Sequence, residues 1–80
     1  MEKNRIMEHL IRMLHEKFGT DPVSVTAETR QQDLGIDSIL LVDLMLDLED
    51  ELGFSFQSMA LPPNPSIGDI CELVAQNMAV

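Results

Sequence analysis

Eighty residues with a net charge of −9 and only five Lys and Arg describe one small acidic domain. A chain this short buries roughly 60% of its unfolded surface. At about 0.05–0.15 kcal/mol per residue, its net stability is of order 4–12 kcal/mol, which leaves little room for a deep enzyme pocket. The charge excludes partners that are themselves strongly anionic, so neither nucleic acid nor an acidic membrane surface is expected. Basic protein surfaces are expected instead. There is no Trp or Tyr, and the single cysteine, Cys71, has no partner for an internal disulfide. No stretch is long enough to span a membrane. Residues 1–18 are amphipathic and interrupted by charges, unlike a signal peptide, so a cytoplasmic monomer is expected.

The first helix is read over residues 3–18. Ile6, Met7, Leu10, Ile11, Leu14 and Phe18 recur at the spacing of a buried stripe, and Gly19 is a natural stop. Arg5, Glu8, Arg12 and Glu16 fall on the wet side. His9 and His15 read as solvated or partly packed helix residues. Residues 20–36 then form a long connection. Val23, Val25, Leu34 and Ile36 make it too apolar for a free linker, so it should be pinned to the core. A loop of this length in a small domain points to function, and a short helical turn is expected near residues 27–32.

The second helix should begin at Asp37 or Ser38 and end near Leu52, before Gly53. Asp37 suits the N-cap, and Leu41, Leu44, Met45, Leu48 and Leu52 form a buried stripe. Asp43, Asp47, Asp50 and Glu51, with Glu49, crowd the other face. Like charges at i,i+4 repel, and acids in the last turn oppose the helix dipole, so something other than folding is expected to favour them. Pro62, Pro63 and Pro65 forbid a continuous helix, and one turn over residues 57–61 is the most that fits. Ser66 opens the last helix, with Asp69 three residues on as in a capping box. Its stripe is Ile67, Ile70, Cys71, Val74 and Met78, with Leu73 alongside. Cys71 reads as a small buried hydrophobe.

Ser38 therefore stands at a loop-to-helix junction, at the positive end of a helix dipole. That position suits a covalently attached phosphate better than it suits catalysis. A Ser-His-Asp triad would need a positioned histidine and an oxyanion hole, and the G-x-S-x-G elbow is absent. One cysteine and two histidines give no zinc pattern, and Asp33 and Asp37 do not open an EF-hand. Neither catalytic nor metal-ligating residues are assigned.

The run Asp33-Leu34-Gly35-Ile36-Asp37-Ser38-Ile39, followed by Val42-Asp43-Leu44 and Leu48-Glu49-Asp50-Glu51, resembles an acyl carrier protein over nearly the whole chain. The resemblance implies a single all-α domain over residues 1–80. It would be a small four-helix bundle with a long loop between helices 1 and 2 and a short third helix. A phosphopantetheinyl transferase would attach 4′-phosphopantetheine from coenzyme A to Ser38. Asp37 and Ile39 would flank the attachment site. The arm's thiol would hold acyl groups as thioesters for partner enzymes of fatty-acid, polyketide or related specialised biosynthesis. Leu40, Asp43, Asp47, Asp50 and Glu51 would meet basic surfaces on those enzymes in brief, salt-sensitive encounters.

Two features depart from the family pattern. Leu40 and Leu41 stand where fatty-acid carriers usually have polar residues, and Pro62-Pro63-Asn64-Pro65 replaces an acidic third helix. Both favour a dedicated carrier over a housekeeping one. The alternatives are an aminoacyl, peptidyl or D-alanyl carrier, and an acidic helical interaction module that never receives the arm.

Overall fold

The computed structural model describes residues 3–57 and 61–78. Three α-helices account for most of these residues: α1, Lys3–Phe18; α2, Ser38–Leu52; and α3, Ile67–Met78. The described residues contain no strand, only an isolated antiparallel bridge between Arg30 and Ser66. The fold is all-helical, as expected. The short third helix expected over residues 57–61 falls largely on residues 58–60, outside those described, and three helices are found.

The helices follow the apolar periodicity. Ile6, Leu10, Met13 and Leu14 are the buried residues of α1; Leu41, Leu44, Met45 and Leu48 those of α2; Ile67, Ile70, Cys71, Leu73 and Val74 those of α3. With Val25 and Ile36 they form one core cluster, and α1 packs against both other helices. Met13 joins the core although it lies outside the expected stripe. No polar or charged side chain among the described residues is buried, so apart from the Cys71 thiol every described group able to do chemistry lies at the surface or half-buried.

The helix ends are closed as their sequences require. Ser66 Oγ accepts from the Asp69 amide at 3.1 Å, and the Ser66 amide donates to Asp69 Oδ2 at 2.9 Å. This reciprocal capping box satisfies two donors at once and holds the Asp69 carboxyl below its ordinary range. The next amides of α3, from Ile67 and Gly68, donate to the carbonyls of Thr29 and Ala27, each at 2.8 Å. The long connection thus completes the first turn of α3, which would otherwise keep unpaired donors. Gly68 permits the crossing, because a Cβ there would lie 3.1 Å from the Ala27 carbonyl oxygen.

The connection itself differs in detail from expectation. Val25 and Ile36 are each 7% exposed and Leu34 packs on the core, but Val23 is 90% exposed. Val23 lies in a 3-10 turn, Pro22–Ser24, where Asp21 accepts from its amide and Pro22 fixes the entry. The side chain is thereby turned outward. The second 3-10 turn is Gln32–Leu34, later than the residues 27–32 anticipated. Ala27, Thr29 and Gln31 are occupied instead in bonding to the start of α3 and to Pro65.

Candidate functional site

The chain reaches Ser38 through a loop clamped on one side by the proline segment. Gln31 N donates to the Pro65 carbonyl at 2.9 Å, Gln32 N to Asn64 Oδ1 at 2.9 Å, and Arg30 Nη1 to the Asn64 carbonyl at 3.0 Å. Asn64 makes these contacts from the left-handed region, at φ 50°, which asparagine tolerates better than most residues. Pro62-Pro63-Asn64-Pro65 is therefore a brace for the approach to Ser38 as well as a helix breaker. Gly35, at φ 70°, turns the chain, and buried Ile36 anchors it one residue before the cap.

Asp37 is extended and accepts from the Leu40 amide through Oδ1 at 2.8 Å, and Ser38 is the first residue of α2. This is the N-cap arrangement expected from the sequence. Asp37, Ser38 and Ile39 are all exposed. Among the described residues no acceptor meets the Ser38 or Ile39 amide, so both N–H groups remain directed at the helix's positive end. Beside Ser38 runs a groove of about 220 Å³, whose walls include Leu41, Val42, Met45, Leu61 and Pro62. An exposed hydroxyl, two open amides and an apolar groove fit a phosphodiester carrying a long slender arm.

Side chains able to activate the hydroxyl are not assembled here. His15 Nδ1 lies 3.1 Å from the Thr20 carbonyl, and His9 lies 3.6 Å from Glu51. No cluster of three or more His, Cys, Asp or Glu among the described residues is arranged to hold a metal. Cys71 is only 4% exposed, and burial pushes its thiol up to about 11.

The acids of α2 are less free than the sequence suggests. Lys17 Nζ lies 3.1 Å from Asp43 Oδ2 and also pairs with Asp47. Hydrogen bonds to Asp47 and then Asp43 raise the Lys17 ammonium above its ordinary value. Arg12 pairs with Glu51. Glu49 Oε2 accepts from the Phe56 amide at 2.6 Å, turning the chain back over the end of α2. With Asp37 occupied as the cap, five of the six carboxylates between positions 37 and 51 have partners among the described residues, and Asp50 has none among them.

At about 3.6 residues per turn, Leu40, Asp43, Asp47 and Glu51 lie along the flank of α2 next to α1. Ile39, Val42, Leu46 and Asp50 form a separate outward row. Leu40 is 37% exposed, Ile39 79%, Val42 46% and Leu46 48%. Val42 and Leu46 escaped the sequence reading as surface residues. A helical wheel of α2, which places them opposite Leu44 and Leu48, would have found them.

Comparison with known proteins defines the class. A family model described as a phosphopantetheine attachment site matches residues 8–74. The chain is 32% identical over 80 residues to an acyl carrier protein of Saccharopolyspora erythraea, covering 99% of this chain and 84% of that one. It is 32% identical over 77 residues to an acyl carrier protein of Thermotoga maritima, covering 95% of each. It is also 32% identical over 69 residues to a non-reducing polyketide synthase of Aspergillus fumigatus, covering 86% of this chain and 4% of that much longer protein. The chain belongs to the phosphopantetheine-attachment family, as an acyl carrier protein. Its cofactor is 4′-phosphopantetheine, and its role is to carry rather than to catalyse.

Proposed function

We propose that Ser38 is the attachment residue, its Oγ becoming an ester oxygen of the phosphodiester when a phosphopantetheinyl transferase acts on it. The observation that carries this reading is an exposed hydroxyl on the first residue of α2, beside the groove lined by Leu41, Val42 and Met45. When bound, the cofactor supplies a terminal thiol that holds an acyl group as a thioester. The chain's own residues do the remaining work. Asp37 holds the first turn closed through the Leu40 amide. The Ser38 and Ile39 amides are available to a phosphate oxygen, and the groove offers apolar cover to the arm's root.

The whole chain acts as one domain, as a monomer, in the cytoplasm. Single-core packing, a lone buried cysteine without a disulfide and the absence of any described helix long and apolar enough to cross a membrane are consistent with that. Partner enzymes approach the α2 face that includes Leu40, Asp43, Asp47, Asp50 and Glu51. Specialised biosynthesis, polyketide assembly included, is favoured over housekeeping fatty-acid synthesis. The likeness to a polyketide synthase and the proline brace around Asn64 support that preference.

Intact-mass measurement after incubation with coenzyme A and a broad-specificity phosphopantetheinyl transferase tests the assignment, with Ser38→Ala in parallel. Gain of one phosphopantetheine unit in the parent chain alone is expected. Equal gain in Ser38→Ala would move the attachment elsewhere. No gain by the folded parent would remove the reading.

A further inference from the structure

Gln31 joins three segments that converge on Ser38. Its amide donates to the Pro65 carbonyl at 2.9 Å, and its carbonyl accepts from the Leu34 amide at 3.1 Å. Its side-chain Nε2 donates to the Ile36 carbonyl at 3.1 Å. The proline segment, the Gln32–Leu34 turn and the entry to α2 are thereby tied to one residue. Gln31 also shares the walls of the groove with Ser38 and Leu41.

Ser38 is held by little of its own. Among the described residues neither its hydroxyl nor its amide is hydrogen-bonded. Such a hydroxyl takes its position from the backbone that carries it. Upstream, that backbone is Asp37, closed by its cap onto the Leu40 amide, and then the peptide unit joining Ile36 to Asp37. The Ile36 side chain, 7% exposed, fixes where the chain passes. It does not fix the plane of that peptide unit, and Gly35 just before it rotates more freely than any other residue type. The Gln31 carboxamide fixes the plane, because a planar peptide turns as a whole with its carbonyl. A bond that only satisfied the carbonyl would affect stability alone. One that sets the plane next to the cap also sets the direction of the hydroxyl.

We propose that Gln31 is a positioning residue for the modification of Ser38. It transmits the geometry of the Asn64–Pro65 brace to the peptide unit before the cap, so that the hydroxyl meets the transferase in one orientation. This rests on Ser38 being the attachment residue. Asn64 acts on the same path, through the Gln32 amide and the Arg30 guanidinium, and Gln31 is where brace and serine are joined.

The test is single-turnover transfer from coenzyme A, with a broad-specificity phosphopantetheinyl transferase in excess over the carrier and intact mass as the readout. The rate at saturating transferase reports presentation of the hydroxyl, and the transferase concentration at half-maximal rate reports binding. Gln31→Met keeps the side chain's length and removes the donor, and Gln31→Glu keeps its shape and puts an acceptor in the donor's place. Misplacing a reacting group by about 1 Å can cost about a hundredfold, so a loosened peptide plane should lower the saturating rate about three- to tenfold. The half-maximal concentration should stay within about twofold of the parent's. Ile6→Val, which removes one buried methyl group from α1 outside these bonds, is the stability control and should keep the parent's saturating rate. Asn64→Ala should lower that rate as well. The Gln31→Met/Asn64→Ala double variant should lose clearly less than the product of the two single losses, since both interrupt one path. Either Gln31 variant suffices if the other fails to fold. If the parent gains mass and the Gln31 variants keep its saturating rate, or change only the half-maximal concentration, the positioning role is overturned and the attachment reading stands. Loss of as much rate by Ile6→Val, or a double variant that loses the full product, overturns it equally. A folded parent that gains no mass, or a Ser38→Ala variant that gains as much, takes both readings down.

Discussion

Removing the Asp37 side chain should loosen the first turn of α2 without unfolding the domain. Asp37 Oδ1 accepts from the Leu40 amide at 2.8 Å, and α2 has no other side-chain cap at that end. Losing an N-cap of this type costs about 0.5–2 kcal/mol, a sizeable share of the roughly 4–12 kcal/mol expected for the whole chain. A loss of about 1 kcal/mol lowers the melting temperature of a domain this small by about 4–8 °C. Asp37→Asn keeps an oxygen acceptor and gives up only the charge at the dipole's positive end, about 0.3–1 kcal/mol at an exposed site. Thermal melts should therefore rank the parent at or above Asp37→Asn, and Asp37→Ala lowest. Amide hydrogen exchange reads the same bond locally. If the Leu40 amide exchanges by local opening, a loss of about 1 kcal/mol speeds it about fivefold in Asp37→Ala, while amides in α3 change less. An unchanged Leu40 amide in Asp37→Ala would refute the capping role. Equal destabilisation by Asn and Ala would show that the charge, not the acceptor, does the stabilising.

Other perturbations follow from the same geometry. The Lys17 ammonium lies above its ordinary 10.5 in the folded chain, so its contribution to stability is complete below that pH and lost as pH rises through the folded value. Lys17→Gln should melt below the parent at neutral pH, and the gap should close on the alkaline side; a constant gap would argue against the pairing with Asp47 and Asp43. The Asp69 carboxyl lies below its ordinary 3.8, so its contribution is present above that pH and lost as pH falls through the folded value. The melting difference between Asp69→Ala and the parent should accordingly narrow in strong acid, to whatever the neutral carboxyl still contributes as an acceptor for the Ser66 amide. Cys71 is buried with its thiol at about 11, so alkylation at mildly alkaline pH should proceed only as fast as the chain opens, and reaction at a free-thiol rate would contradict that burial. Asn64→Ala loses the bond to the Gln32 amide and places Ala at φ 50°; about 1–2 kcal/mol of destabilisation is expected in denaturant titration.

The helices were legible because their signals are local. Ile6 to Leu14 and Leu41 to Leu48 repeat at helical spacing, and Asp37, Ser66 and Asp69 announce helix starts through bonds made within one turn. The connection was legible only in outline. Its apolar residues indicated that it is pinned, but what pins it is distant in sequence: Ala27 and Thr29 bond the start of α3, and Gln31 and Gln32 bond Pro65 and Asn64. Backbone partners of that kind leave no mark in hydropathy. Val23 was misread for a related reason, since Asp21 and Pro22 set a turn whose direction, not its composition, decides which side chains face the core. At the site, Ser38 and its cap were found from a contiguous motif. The Val42 and Leu46 row was hidden by the core stripe interleaved with it.

The acids of α2 bring folding and recognition into one argument. Read along the sequence, Asp43, Asp47, Asp50 and Glu51 repel one another and those in the last turn oppose the helix dipole, so recognition seemed their only reason. The fold supplies a second. Lys17 stands between Asp43 and Asp47 and Arg12 beside Glu51, so α1 relieves the repulsion that α2 creates. Exposed pairs of this kind contribute little stability, about 0–1 kcal/mol each, and for the same reason they exchange readily with outside cations. The pairs with α1 therefore leave the acids of α2 open to a basic surface that comes near. A carrier that must be released after each transfer is served by weak exposed pairs, because charges at the rim of a contact act on the rate of encounter more than on the lifetime of a complex.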